Sequence, residues 1–141
     1  MKLNSHRQAC SIIAARLDEI APYYDKSVVI TYVPTSTKRV RERGFDHAKL
    51  IAEIFAKNRG LQCKNLLLRT TQQKQAGTDR KTRLEQVKGS YQPIKPSINI
   101  DQVVLIDDII TTGATLSEAT RVLKKAKVKN IESLVFAQPI R

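Results

Sequence analysis

An open α/β sheet of mostly parallel strands flanked by helices is the fold class predicted by three features of this 141-residue sequence. Short β-branched runs alternate with segments of helical period, the pattern of strand–helix–strand units. The most apolar run, VVLI at 103–106, is unbroken, as suits a strand covered on both faces of a parallel sheet. No Gly/Ser or Pro-rich linker and no internal repeat divides a length that suits one layered core, so residues 1–141 are read as a single domain.

Taken in order, residues 5–20 place Ala9, Ile12, Ile13, Arg16, Leu17 and Ile20 at three- and four-residue spacing, which predicts an amphipathic helix with that stripe inward, ended by Pro22. SVVITYVP (27–34) reads as a buried strand closed by proline. Beyond the basic stretch TKRVRERGF, Asp46 is an expected N-cap. Leu50, Ile51, Ile54 and Phe55 then form a helical stripe ended at Asn58–Gly60. Cys63–Leu68 reads as another strand, and the polar RTTQQKQAGTDRKTR that follows reads as a long surface loop. Leu84 and Val87 hint at a short helix, and Pro93 and Pro96 are expected to break regular structure. After the Val103–Ile106 strand, Leu116, Ala119, Val122, Leu123 and Ala126 share one helical face, and IESLVFA supplies a last strand.

Composition narrows the function classes. The apolar runs are far shorter than the roughly 20 residues a membrane helix needs, and no secretory signal is visible. The two cysteines, Cys10 and Cys63, form neither a disulfide framework nor a metal-binding CxxC pair, so a reduced, cytoplasmic protein is expected. The 25 Lys and Arg against 13 Asp and Glu, net +12, favour a polyanionic partner: nucleic acid, a phosphorylated metabolite or an acidic protein.

Chemistry concentrates in VVLIDDIITTGATLSEA (103–119). TTGAT joins a strand to a helix and sets one glycine among hydroxyl side chains, so it can form a nest of backbone N–H groups for a phosphate monoester at the helix N-terminus. Thr111, Thr112 and Thr115 can donate further hydrogen bonds, and Gly113 permits close approach. Asp107 and Asp108 would repel phosphate, yet suit vicinal sugar hydroxyls or a hydrated magnesium ion. On a continuous strand the two would face opposite ways. Phosphate and diol together describe a ribose 5-phosphate. A nucleotide-hydrolysing P-loop is excluded, since no GK followed by Ser or Thr occurs.

VVLIDDIITTGAT resembles the phosphoribosyl-pyrophosphate (PRPP) motif of the type I phosphoribosyltransferases, and YVPTSTKRVRERGFDHAKLIA with QAGTDRKTRLEQVKGSY resembles the ComF-like, competence-associated branch. The resemblance spans about Val28 to Pro139. It implies that Asp107 and Asp108 are the catalytic pair on the ribose hydroxyls, and that Thr111, Thr112, Gly113, Ala114 and Thr115 cradle the 5-phosphate. The pyrophosphate loop would be Ser36, Thr37, Lys38, Arg39 and Arg43; Arg41 adds to that cationic cluster. A mobile loop would carry Lys74, Arg80, Lys81 and Arg83 towards the leaving group. Mg2+ is implied as PRPP's companion, with no direct protein ligand assigned. Many ComF-like proteins begin with a four-cysteine zinc ribbon; this chain has none, so zinc is not expected.

The reaction implied is displacement of pyrophosphate from Mg-PRPP by a nitrogen nucleophile. The rival reading is a non-catalytic accessory protein that binds PRPP or single-stranded DNA, working beside a helicase in DNA uptake. Trp is absent, which argues weakly against extensive base stacking. Type I relatives are often dimers, so a homodimer is a further implication. His6 and His47 are the only histidines, and His47 is read as a surface residue in the first turn of a helix.

Overall fold

A computed structural model of the chain describes residues 2–70, 88–94, 99–109 and 113–137, with backbone alone at 2, 3, 108, 109 and 137. In chain order the elements are α1 (Lys2–Ile20), β1 (Val29–Tyr32), α2 (Thr37–Arg43), α3 (His47–Arg59), β2 (Gln62–Cys63), β3 (Leu67–Arg69), β4 (Tyr91–Pro93), β5 (Gln102–Ile109), α4 (Ala114–Lys125) and β6 (Asn130–Ala137). Four strands form a parallel sheet in the order β2-β1-β5-β6, and β3 and β4 form a separate antiparallel ribbon.

The period-2 alternation of the strands sorts the core into two layers. On one face Ile30 and Tyr32 of β1 and Val104 and Ile106 of β5 meet Leu17 of α1 and Ile51, Ala52 and Phe55 of α3. On the other, Val29 and Val33 with Val103 and Leu105 meet Ala119, Val122 and Leu123 of α4, together with Leu67 and Tyr91 of the ribbon. All four residues of VVLI are fully buried, as a two-sided covering requires.

The N-terminal helix forms, but its buried stripe is rotated from the expected one. Cys10, Ala14 and Leu17 face the core, whereas Ile12 is 62% exposed and Ile20 is 70% exposed. Small side chains win here because α1 packs on α3, where Ala48, Ala52 and Ala56 also allow close approach. Arg59 of α3 fastens the end of α1: its guanidinium bonds to the Asp18 carboxylate and carbonyl and to the carbonyls of Ala21 and Pro22. Those last carbonyls have no partner within the helix, and Arg59 supplies one.

Two further expectations are corrected. Cys63–Leu68 is not one strand: β2 ends at Cys63 beside β1, and β3 starts at Leu67 in the ribbon. Pro93 does not interrupt regular structure but closes β4 opposite Leu67, a strand end where a missing N–H costs nothing. The short helix expected around Leu84 and Val87, and Pro96, lie outside the described residues.

Helix α4 closes with Lys127 N–H on the Lys124 carbonyl (3.0 Å) and Val128 N–H on the Leu123 carbonyl (3.2 Å), which forces Lys127 to φ 70. A side chain in that left-handed region costs roughly 1–2 kcal/mol, partly offset in any glycine replacement by the greater freedom of the unfolded chain. Lys127→Gly is therefore expected to stabilise the fold by about 0.5–1 kcal/mol, a rise of about 2–4 °C in the thermal midpoint. A fall on calorimetric melting would contradict it.

Candidate functional site

Strand order reverses across the sheet between the parallel strands β1 and β5. From β1 the chain crosses to β2 on one side, and β5 leads to β6 on the other. In open α/β sheets ligands bind outside the carboxyl ends of the strands at such a reversal. The two strand ends are in register, Tyr32 opposite Ile106, and Val33 N–H donates to the Ile106 carbonyl at 3.1 Å. Position 107 and the loop after Val33, far apart in the chain, are thereby brought side by side.

Strand β5 does not end before the acids. Its pairing with β6 continues through Asp107 opposite Val135 to Ile109 opposite Ala137, so positions 107 and 108 belong to opposite faces. Asp107 follows Val103 and Leu105 on the face covered by α4 and is half-buried. The side chain of Asp108 lies outside the described part, as do Thr111 and Thr112. Gly113 is described and adopts φ 77 as the N-cap of α4, with Ser117 N–H on its carbonyl at 2.9 Å. No described atom lies within 4 Å of where a Cβ on Gly113 would stand, so its face is open to approach. Ala114 is buried and Thr115 half-buried in the first turn. An open groove of about 500 Å³ runs from Gly113 past Ser117, Thr120 and Arg121 to Ser133.

Across the crevice, the basic stretch is a helix, α2, that carries no buried residue. Capping rather than packing holds it. The Ser36 hydroxyl accepts from Arg39 N–H (3.3 Å), and Gly44 (φ 90) closes it with its N–H on the Val40 carbonyl (2.7 Å). Ser36 thus spends its oxygen on the helix, Thr37 begins α2, and Lys38, Arg39 and Arg41 extend into solvent. Arg43 turns back, its Nη1 3.5 Å from His47 Nδ1. His47 is half-buried rather than a surface residue, stacked 4.7 Å from Phe45 and edge-on 5.5 Å from His6.

Asp46, the expected N-cap of α3, does more than cap. It accepts from Lys49 N–H (3.3 Å) and also from the backbone N–H and hydroxyl of Thr35, both at 3.0 Å. This ties the loop after β1 to α3 and fixes where the cationic helix starts. The expected mobile-loop residues Lys74, Arg80, Lys81 and Arg83 lie outside the described residues.

Two residues that the sequence reading missed, Arg69 and Tyr91, sit at the crevice on the ribbon. Arg69 Nη1 donates to the Tyr91 hydroxyl (2.9 Å), and its guanidinium lies 5.5 Å from the centre of the Tyr91 ring. Arg69 Nε is buried and has no hydrogen-bond partner among the described residues. Burial pushes the Tyr91 hydroxyl pKa up; Arg69 pulls it down, and the carboxylates of Asp107, Asp46 and Glu118 push it up again. Tyr91 therefore feels acids from both walls of the crevice. The available signal was an arginine and a tyrosine flanking the polar loop at matching distance, which a hairpin would pair. Among the described residues no cluster of three or more His, Cys, Asp or Glu could hold a metal, and Cys10 and Cys63 form no disulfide. Burial raises Cys63 to about 11, so it is a protonated, unreactive thiol at neutral pH.

Fold and site together define a doubly wound α/β protein with a strand-to-helix turn and a cationic segment meeting at the point where strand order reverses. The chain belongs to the phosphoribosyl transferase domain family, whose model matches residues 40–140. It is homologous to competence proteins: it is 35% identical over 117 residues to competence protein ComFC of Bacillus subtilis (81% of this chain, 46% of that one) and 28% identical over 104 residues to competence protein F of Haemophilus influenzae (71% and 45%). The chain spans about half the length of these relatives. Among solved structures, a glutamine PRPP amidotransferase from B. subtilis, complexed with ADP and GMP, shares the fold at TM-score 0.65 and 16% identity, over 95% of this chain and 27% of that one. A hypoxanthine-guanine phosphoribosyltransferase from Bacillus anthracis matches at 0.53 and 13%, over 98% and 71%. The parallel sheet flanked by helices is thus the type I phosphoribosyltransferase fold. Among the described residues no helix is long and apolar enough to cross a membrane.

Proposed function

We propose that this chain, acting as one cytoplasmic domain, binds Mg-PRPP in the crevice between β1 and β5 and transfers its phosphoribosyl group to a nitrogen nucleophile, releasing pyrophosphate. The observation that carries the reading is the open face of Gly113 at the N-terminus of α4 beside the Asp107 end of β5. In this reading the turn ending at Thr115 holds the 5-phosphate by backbone N–H groups and the positive end of the helix dipole. Asp107, on the α4 face of β5, accepts from the ribose hydroxyls and orients the sugar, and Asp108 joins it only where the end of β5 departs from regular alternation on binding. Arg69, held by the Tyr91 hydroxyl, and the solvent-facing Lys38 and Arg39 of α2 supply cationic charge to the departing pyrophosphate. Bound Mg2+ supplies charge neutralisation on the pyrophosphate. Since no three metal-ligating side chains cluster among the described residues, the ion would take most of its ligands from phosphate oxygens and water.

A net charge of +12 and the competence names of the relatives favour a second reading, a single-stranded DNA-binding accessory protein. One pair of titrations separates the two. Calorimetry with Mg-PRPP is expected to give saturable binding at physiological salt. Oligo-dT binding, if it is the function, falls linearly in log K with log salt. Absence of PRPP binding alongside steep salt-dependent DNA binding would replace the first reading with the second.

A further inference from the structure

We infer that Glu118 is a positioning residue that fixes the Arg69–Tyr91 pair relative to the phosphate-binding end of α4. The inference rests on the reading just proposed and assigns a role to a residue outside the PRPP motif.

Glu118 lies four residues inside α4 and is 8% exposed. A glutamate so buried requires partners for its oxygens, because an unpaired carboxylate in the interior is costly. It has three. Arg121 Nε donates to Oε2 at 2.9 Å, Arg121 Nη2 donates to Oε1 at 2.5 Å, and Gly89 N–H donates to Oε1 at 3.0 Å. Arg121 is a neighbour on the same helix turn and needs no burial to be reached. Gly89 comes from a distant segment. Its φ of 80 directs the N–H at α4, and nothing described crowds the space a Cβ would fill, so backbone conformation selects glycine there.

From Gly89 the connection continues into the ribbon. The Thr70 hydroxyl donates to the Gly89 carbonyl (3.1 Å), and Thr70 N–H donates to the Ser90 carbonyl (2.8 Å). The next residue on each strand is one of the pair: Arg69 and Tyr91 are register partners. Hydrogen bonds therefore run from the interior of α4 through Glu118 and Gly89 to Thr70, and the backbone of the ribbon carries the link one residue further to Arg69 and Tyr91. The phosphate cradle lies at the start of the same helix. Glu118 sets the distance between an anion held at Gly113 and a cation held at Arg69, and a ligand needing both depends on it more than one needing the cradle alone.

Ribose 5-phosphate and Mg-PRPP are such a pair of ligands, so the readout is the ratio of their affinities. Glu118→Ala is expected to weaken Mg-PRPP about tenfold, while ribose 5-phosphate changes by less than about twofold, because displacement of a charged contact is felt only by the ligand that reaches it. Glu118→Gln, whose amide oxygen still accepts from Gly89 N–H, should recover most of the loss, which a general loss of packing would not do. Thr70→Val, at an exposed position, should shift the same ratio by about threefold and decides the matter should Glu118→Ala not fold. An unchanged ratio in both folded variants overturns the inference. A wild-type chain that binds neither ligand overturns the proposed function instead. In that event hydrogen exchange at the Gly89 amide still tests the link: protection should be lost in Glu118→Ala and kept in Glu118→Gln, and unaltered protection in Glu118→Ala would sink it.

Discussion

Replacing both Asp107 and Asp108 by asparagine is expected to lower Mg-PRPP affinity by at least about a hundredfold while leaving the protein folded. A hydrogen bond from a sugar hydroxyl to a carboxylate is worth roughly 1.5–3 kcal/mol, and each 1.4 kcal/mol is a factor of ten. Asparagine keeps the shape and one acceptor oxygen but presents an amide where two acceptors are needed. The fold should be spared, because Asp107 stands at the half-buried end of β5, beyond the fully buried VVLI segment. Calorimetric titration of wild type and variant, with circular dichroism as the folding control, makes the comparison. Equal affinity would remove the acids from the site.

Phe55→Ala is expected to cost about 3–5 kcal/mol of stability, the usual range for emptying a buried aromatic site. Phe55 is fully buried at the centre of the layer between α1, α3 and the sheet. Its ring meets Tyr24 edge-on at 6.5 Å, and the Arg59 guanidinium that fastens α1 lies 5.1 Å from its centre. The cavity therefore also loosens the support of that arginine. For a chain of this length the loss corresponds to a fall of about 10–15 °C in the thermal midpoint. Urea denaturation would show it as a lower midpoint at nearly unchanged slope. A loss below about 1 kcal/mol would mean that α3 does not pack as described. Because the α4 layer lies across the sheet, ligand affinity measured well below the transition should be unchanged.

The parts of the structure legible in the sequence are those that burial dictates. VVLI could only be a covered strand, and Asp46 and Gly60 mark the ends of α3 through the backbone chemistry of caps. The resemblance of the Asp–Asp–Thr–Gly turn to a PRPP motif directed attention to the end of β5, and the family assignment agrees with it. What escaped was decided by contacts that no local pattern encodes. Isoleucines outweigh cysteine and alanine on any hydropathy count, yet Cys10 and Ala14 are buried because the neighbouring helix also presents alanines. Helix α2 has no apolar stripe to detect, and its two caps carry it. Arg69 and Tyr91 meet only because β3 and β4 pair across the intervening polar stretch, a long-range register that fixes the second cation of the crevice.

The order of the sheet has a consequence for synthesis. Among the described strands β1 precedes the others in this sequence, yet one of its edges waits for β5, and its other neighbour, β2, pairs with it at only two positions. Until β5 has been made, the Val29–Tyr32 segment has an unclaimed hydrogen-bonding edge. The nascent chain should therefore be most prone to clumping just before Ile109 emerges, and an expression host rich in chaperones should improve its yield more than any change to the finished fold.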